Sequence, residues 1–178
     1  PSSAPAGTRR PDPKAMMPVV DDLMRALGLV NAKKFEEAEA VLLGVLERSP
    51  EDPSALDQLA RSQRGQGRFA EAEATLRRRI ALLPAADAWV ALAEVHLETR
   101  ALDAFLDDIH AARALEPHHG GIQLALGDRL ALEGRFEEAI HAFEGAIALD
   151  SSRFGPEARR KIELARGRLA PASQPAGR

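Results

Sequence analysis

The chain has 178 residues, 24 basic and 27 acidic side chains and a net charge of −3, a balance that argues against a nucleic-acid binder, whose surface should be basic. Hydrophobic residues make up 45% and aromatics only 4%, with no Tyr and no Cys, which predicts an all-α protein without disulfide or thiolate metal site. No stretch approaches the roughly 18 uninterrupted apolar residues of a membrane span, so no membrane insertion is expected, and cytoplasm and periplasm are both compatible with the composition.

The opening "PSSAPAGTRRPDPK" carries four prolines in fourteen residues, and proline is a poor helix interior residue. Residues 1–15 are therefore expected to be a flexible linker, and "APASQPAGR" at 170–178 a disordered tail. The chain opens on Pro1 without a basic-then-apolar signal segment, so the loss of something upstream is expected. The fold is expected within 16–169.

Within it the sequence is periodic. Phe35, Phe69, Leu102 and Phe136 stand 34, 33 and 34 residues apart, and fifteen residues beyond each stand Pro50, Pro84, Pro117 and Ser151. Proline cannot continue a helix and biases the residue before it out of the helical region, so these are four helix stops. Between a stop and the next anchor lies a second apolar set: Leu56, Leu59, Ala60; then Trp89, Leu92, Ala93; then Leu124, Leu126, Gly127, Leu130. Spacings of three and four mark one helical face. Gly67 and Gly134 fall where the first helix of a unit should end in a left-handed turn. Each unit thus reads as helix, tight turn, helix, stop, over 19–52, 53–85, 86–119 and 120–153. A further amphipathic helix is expected at 156–169, with Ala158, Ile162, Ala165 and Leu169 on one stripe.

This pattern resembles the tetratricopeptide repeat family, whose period is thirty-four residues. The resemblance rests on Ala26, Leu29, Ala38, Leu42 and Pro50; on Leu59-Ala60, Ala72, Leu76 and Pro84; on Trp89, Leu92-Ala93, Ile109, Ala112 and Pro117; and on Leu126-Gly127, Leu130, Ala139, Phe143 and Ala146. It implies a right-handed α-solenoid of antiparallel helix hairpins, with 156–169 as a capping helix. Small residues let the two helices of a hairpin cross closely, and Ala60 with Ala72 and Gly127 with Ala139 are the expected pairs. Two departures stand out. Phe105 fills the small residue's place in repeat three, so either that hairpin opens or its second helix turns to offer Ala104. Asp22 and Arg25 fill ordinarily apolar places in repeat one, as suits a terminal repeat.

No catalytic set emerges. The sequence holds no HExxH, no GxxxxGK and no GxSxG. His118-His119 reads as a polar turn, since no third ligand converges by spacing; His96 takes an aromatic's place and is expected to be packed. Asp107-Asp108, Glu36-Glu37 and Arg77-Arg78-Arg79 read as solvated faces. Neither a cofactor nor a metal is expected, and the chain is not read as an enzyme.

The resemblance implies an interaction scaffold that binds a peptide or helix of another protein in a concave groove. The groove positions it implies include Leu23 and Leu27; Asp57, Arg61 and Arg64; Val90, Glu94 and Leu97; and Leu124 and Asp128. Leu23 and Leu27 serve equally well as core. The Lys and Asn clamp by which some members hold acidic chaperone tails is missing, because its places hold Leu23 and Leu27 or Asp57 and Arg61. Two alternatives stand beside the scaffold. The Pro-rich opening, with Pro11-Asp12-Pro13-Lys14, resembles the junction ahead of the repeat tail of some larger sulfatase-like hydrolases. Apolar groove ends would suit a homo-oligomer.

Overall fold

The computed structural model of the protein describes residues 13–169, with side chains from Val19 onward. The expected tail at 170–178 and most of the expected linker at 1–15 lie outside the described residues. Among these there are nine α-helices and no strand. They are α1 (Pro13–Asn31), α2 (Phe35–Arg48), α3 (Pro53–Gly65), α4 (Phe69–Leu82), α5 (Ala86–Glu98), α6 (Leu102–Leu115), α7 (Gly120–Leu132), α8 (Phe136–Leu149) and α9 (Gly155–Leu169). The architecture is an all-α helical-repeat solenoid of four hairpins followed by a single helix. α1 starts at Pro13, inside the stretch expected to be linker. Proline is accepted in a first helical turn, where its missing N–H would have no intrahelical partner.

The four turns inside the hairpins share one geometry. In each, a backbone N–H reaches back five residues: Lys34 to Leu29 at 2.9 Å, Arg68 to Gln63 at 2.9 Å, Ala101 to His96 at 2.8 Å and Arg135 to Leu130 at 2.9 Å. Such a bond requires a left-handed residue just before it. Gly67 (φ +74°) and Gly134 (φ +77°) supply it at no steric penalty, whereas Lys33 (φ +58°) and Arg100 (φ +62°) adopt it with a Cβ in place. Lys33→Gly and Arg100→Gly should therefore each stabilise the chain by about 0.5–1 kcal/mol, read as a rise in denaturation midpoint. An unchanged or lowered midpoint would contradict the shared turn geometry.

The stops act where the prolines and Ser151 place them. α2, α4, α6 and α8 each end two residues before Pro50, Pro84, Pro117 or Ser151. Asp52 caps α3, accepting a hydrogen bond from the Ala55 N–H at 2.8 Å with Pro53 in the first helical position.

The chain divides into two compact units, residues 1–75 and 76–178, the boundary falling within α4. In the first, Ala26, Val30, Ala38, Leu42, Val45, Leu46, Ala55, Leu56 and Leu59 form one buried cluster, with Phe35 packed against it. Asp22 of α1, half-buried, pairs with Arg48 at the end of α2 at 2.5 Å, while Arg25 stays exposed.

In the second unit two clusters follow one another along the chain. Phe105 is fully buried with Val90, Ala93 and Leu97 of α5, Ile109 and Ala112 of α6, and Ile122 and Ala125 of α7. α6 has not turned to offer Ala104, which is only half-buried. Nor has the hairpin opened, because α5 and α6 lie against each other as closely as α1 and α2 or α7 and α8. What has loosened is the next junction: α6 meets α7 over far less of its length than α2 meets α3 or α8 meets α9.

The last cluster joins Leu124 of α7, Ala139, Phe143 and Ala146 of α8, and Ala158 and Ile162 of α9. A Cβ on Gly127 would fall inside the Phe143 ring, so the glycine's job is to seat that ring.

Candidate partner-binding faces

The groove positions implied by the sequence separate into three groups by burial. In the first unit α1 lies beside α3. Leu23 and Leu27 on α1 are half-buried, Leu23 packing on the cluster beneath. On α3, Arg61 is exposed and Asp57 and Arg64 are half-buried. These five side chains all retain surface, and they combine an apolar strip with two guanidinium groups. Val20 and Met24 extend the apolar strip, at 52% and 64% exposure.

In the second unit the same pattern is mostly spent on packing. Val90 and Leu97 are buried in the Phe105 cluster, and Leu124 in the cluster under α9. Three residues placed on the groove thus serve as core. Asp128 is half-buried and receives Lys161 Nζ at 2.5 Å, an ion pair that ties α9 to α7. Glu94 is half-buried on α5, one turn from the exposed Glu98.

Two buried polar arrangements were missed by the sequence reading. Asp108, expected on a solvated face, is buried, and its Oδ2 lies 2.6 Å from His96 Nδ1 with both side chains 6% exposed. His96 follows the expectation of a packed residue, but its partner is a carboxylate, not an aromatic. Burial pushes the Asp108 carboxyl up from its ordinary value, and the bond to His96 works against that shift. Arg79, also expected to be solvated, is buried and donates to the Leu83 carbonyl, while Arg77 and Arg78 are exposed.

The second arrangement spans the repeat ends. His118 is exposed, but His119 is buried, with Nε2 2.9 Å from Asp87 Oδ1 and its ring edge-on to Phe154 at 5.6 Å. Arg153 donates to both Asp87 oxygens at 2.7 Å and lies over the Phe154 ring. The close approach of the His119 ring, followed by the bonds from Arg153, holds the Asp87 carboxyl down at about 2 against the opposing effect of burial. Such a group adds stability above its unfolded value of 3.8, and that contribution disappears as pH falls towards 2. Asp87 is half-exposed, so solvent screening leaves about 1 kcal/mol. Asp87→Asn should therefore melt below wild type at pH 6 and level with it at pH 2. A gap independent of pH would contradict this assignment. Among the described residues no three His, Asp or Glu side chains gather as metal ligands, and His110 and His141 are exposed on separate helices.

Comparison with known proteins agrees with this geometry. Profiles described as tetratricopeptide repeat match residues 29–93 and 106–156. No curated protein matches the chain by sequence. Among solved structures, TTC0263, a thermophilic TPR protein of Thermus thermophilus, superposes with a TM-score of 0.73 at 21% identity, covering 85% of this chain and 83% of that one. The APC/C hetero-tetramer Cut9-Hcn1 gives 0.72 at 16% identity over 85% of this chain and 30% of its own. YrrB, described as a TPR protein with an unusual peptide-binding site, gives 0.55 at 17% identity over 90% and 84%. At these identities the structures attest the fold, and together with the two profile matches they show that the chain belongs to the tetratricopeptide repeat family.

Proposed function

We propose that this protein is a non-catalytic scaffold whose first unit binds an extended or helical segment of another protein across α1 and α3. Repeats of this family generally serve protein interaction, and YrrB carries a peptide-binding site by its description. The observation that carries the reading is the side-by-side placement of α1 and α3, with surface left on Leu23, Leu27, Asp57, Arg61 and Arg64. An apolar strip next to a guanidinium suits a segment that alternates aliphatic and acidic side chains. The aliphatic groups supply burial, and Arg61 and Arg64 fix register through charge-assisted bonds. Val90, Leu97 and Leu124 are given to the core and Asp128 to Lys161, which leaves α5 and α7 less to offer.

Peptides selected from a displayed random library on the wild-type chain test this reading. The expected outcome is an acidic, leucine-rich consensus whose affinity falls at least about tenfold for Arg61→Glu plus Arg64→Glu, a change worth about 1.4 kcal/mol or more. Equal affinity for both proteins would remove the α3 guanidiniums from the site.

A further inference from the structure

The place held by Ala38, Ala72 and Ala139 in the other second helices is held in α6 by Phe105. Its ring is fully buried and packs on Ile122 and Ala125 of α7. The ring thus stands where the other second helices hold alanine, and α6 meets α7 over little of its length. The α7–α8 hairpin next to that junction carries a cleft of about 500 Å³, within the range of small-ligand sites, roughly 300–1,000 Å³.

Leu126, Leu130 and Ala142 are half-buried and supply its apolar lining, which Arg129, Glu137 and His141 share. The two cations in the lining differ. Arg135 is engaged by Glu133 and Glu138, at 3.1 Å and 2.5 Å. Arg129 has its Nε 3.0 Å from Glu133 and its guanidinium 6.0 Å from the centre of the Phe105 ring. The terminal nitrogens of Arg129 carry no hydrogen bond among the described residues. Its side chain is 28% exposed, so a carboxylate reaching it would be screened less than a base reaching the exposed Glu137.

We propose that this cleft is a second binding site, taking an aliphatic side chain carried next to a carboxylate on a partner segment. The aliphatic group would lie on Leu126, Leu130 and Ala142, and the carboxylate would pair with Arg129. Phe105 is the positioning residue: its ring backs the guanidinium. The site shares no residue with the α1–α3 face, so either can fail alone.

N-acetyl-leucine and N-acetyl-leucinamide are the probes, titrated into the full chain and followed by backbone amide NMR. The acid should shift resonances between 123 and 142 with roughly millimolar affinity, and the amide should bind at least about fivefold more weakly. Arg129→Gln should reduce the acid to the affinity of the amide. Ala142→Leu, which fills the cleft from a half-buried position, should abolish both while the melting temperature holds. Shifts confined to other residues, equal binding of acid and amide, undiminished binding by Arg129→Gln, or no shift at all would each overturn the proposal.

Discussion

Replacing His96 with leucine alone should lower the melting temperature by about 10 °C at neutral pH, while His96→Leu with Asp108→Leu should return to within about 3 °C of wild type. The pair is buried at 2.6 Å between α5 and α6. Removing one partner leaves a carboxyl in an apolar hairpin, at about 3 kcal/mol or more; each kcal/mol shifts a chain of this size by about 2–4 °C. Removing both leaves apolar groups of similar volume, an exchange that buried polar pairs generally tolerate. The sign with pH follows from the raised Asp108 carboxyl. Ionising it is harder folded than unfolded, so its penalty develops as pH rises above 3.8 and is absent below. The deficit of the single variant should therefore shrink as pH falls towards 4. Double and single variants melting alike would contradict the pairing.

A chain ending at Arg153 should lose about 5 kcal/mol and associate, as seen by circular dichroism and light scattering. Ile162 is buried and Phe154 half-buried, with Ala158 and Ala165 buried beside them, and fully burying a large apolar side chain contributes about 1.5–3 kcal/mol. Without α9, Leu124 and Phe143 face water, and Asp128 loses Lys161. The outer face of α9 is mainly charged, with Arg159, Arg160, Glu163 and Arg166 exposed, as suits the end of a stacked array. A truncated chain equally stable and monomeric would show that α9 does not close the last repeat.

The period was legible because the strongest local signals of helix ends, proline stops and left-handed glycines, recur in register along the chain. Lys33 and Arg100 take the same turn without the glycine signal, so only the spacing of their neighbours gave them away. Asp108 was misplaced because an acid beside Asp107 on a charged helix reads as solvated; its partner lies twelve residues upstream on another helix. A His in an aromatic's place was the available clue. Val90, Leu97 and Leu124 sit at positions where groove and core share one apolar stripe, and burial by the neighbouring helix, which no periodicity reports, decides between them. Phe105 was visible as an exception, but the sequence offered an opened hairpin or a turned helix, whereas the ring is taken up at the junction beyond.

The central claim is that a partner segment lies across α1 and α3, and the most direct test is where it touches. A library-selected peptide carrying a photo-crosslinker at its central leucine should attach within residues 20–31 and 54–65 on mass-spectrometric mapping. Cross-links confined to any other helices would contradict the account.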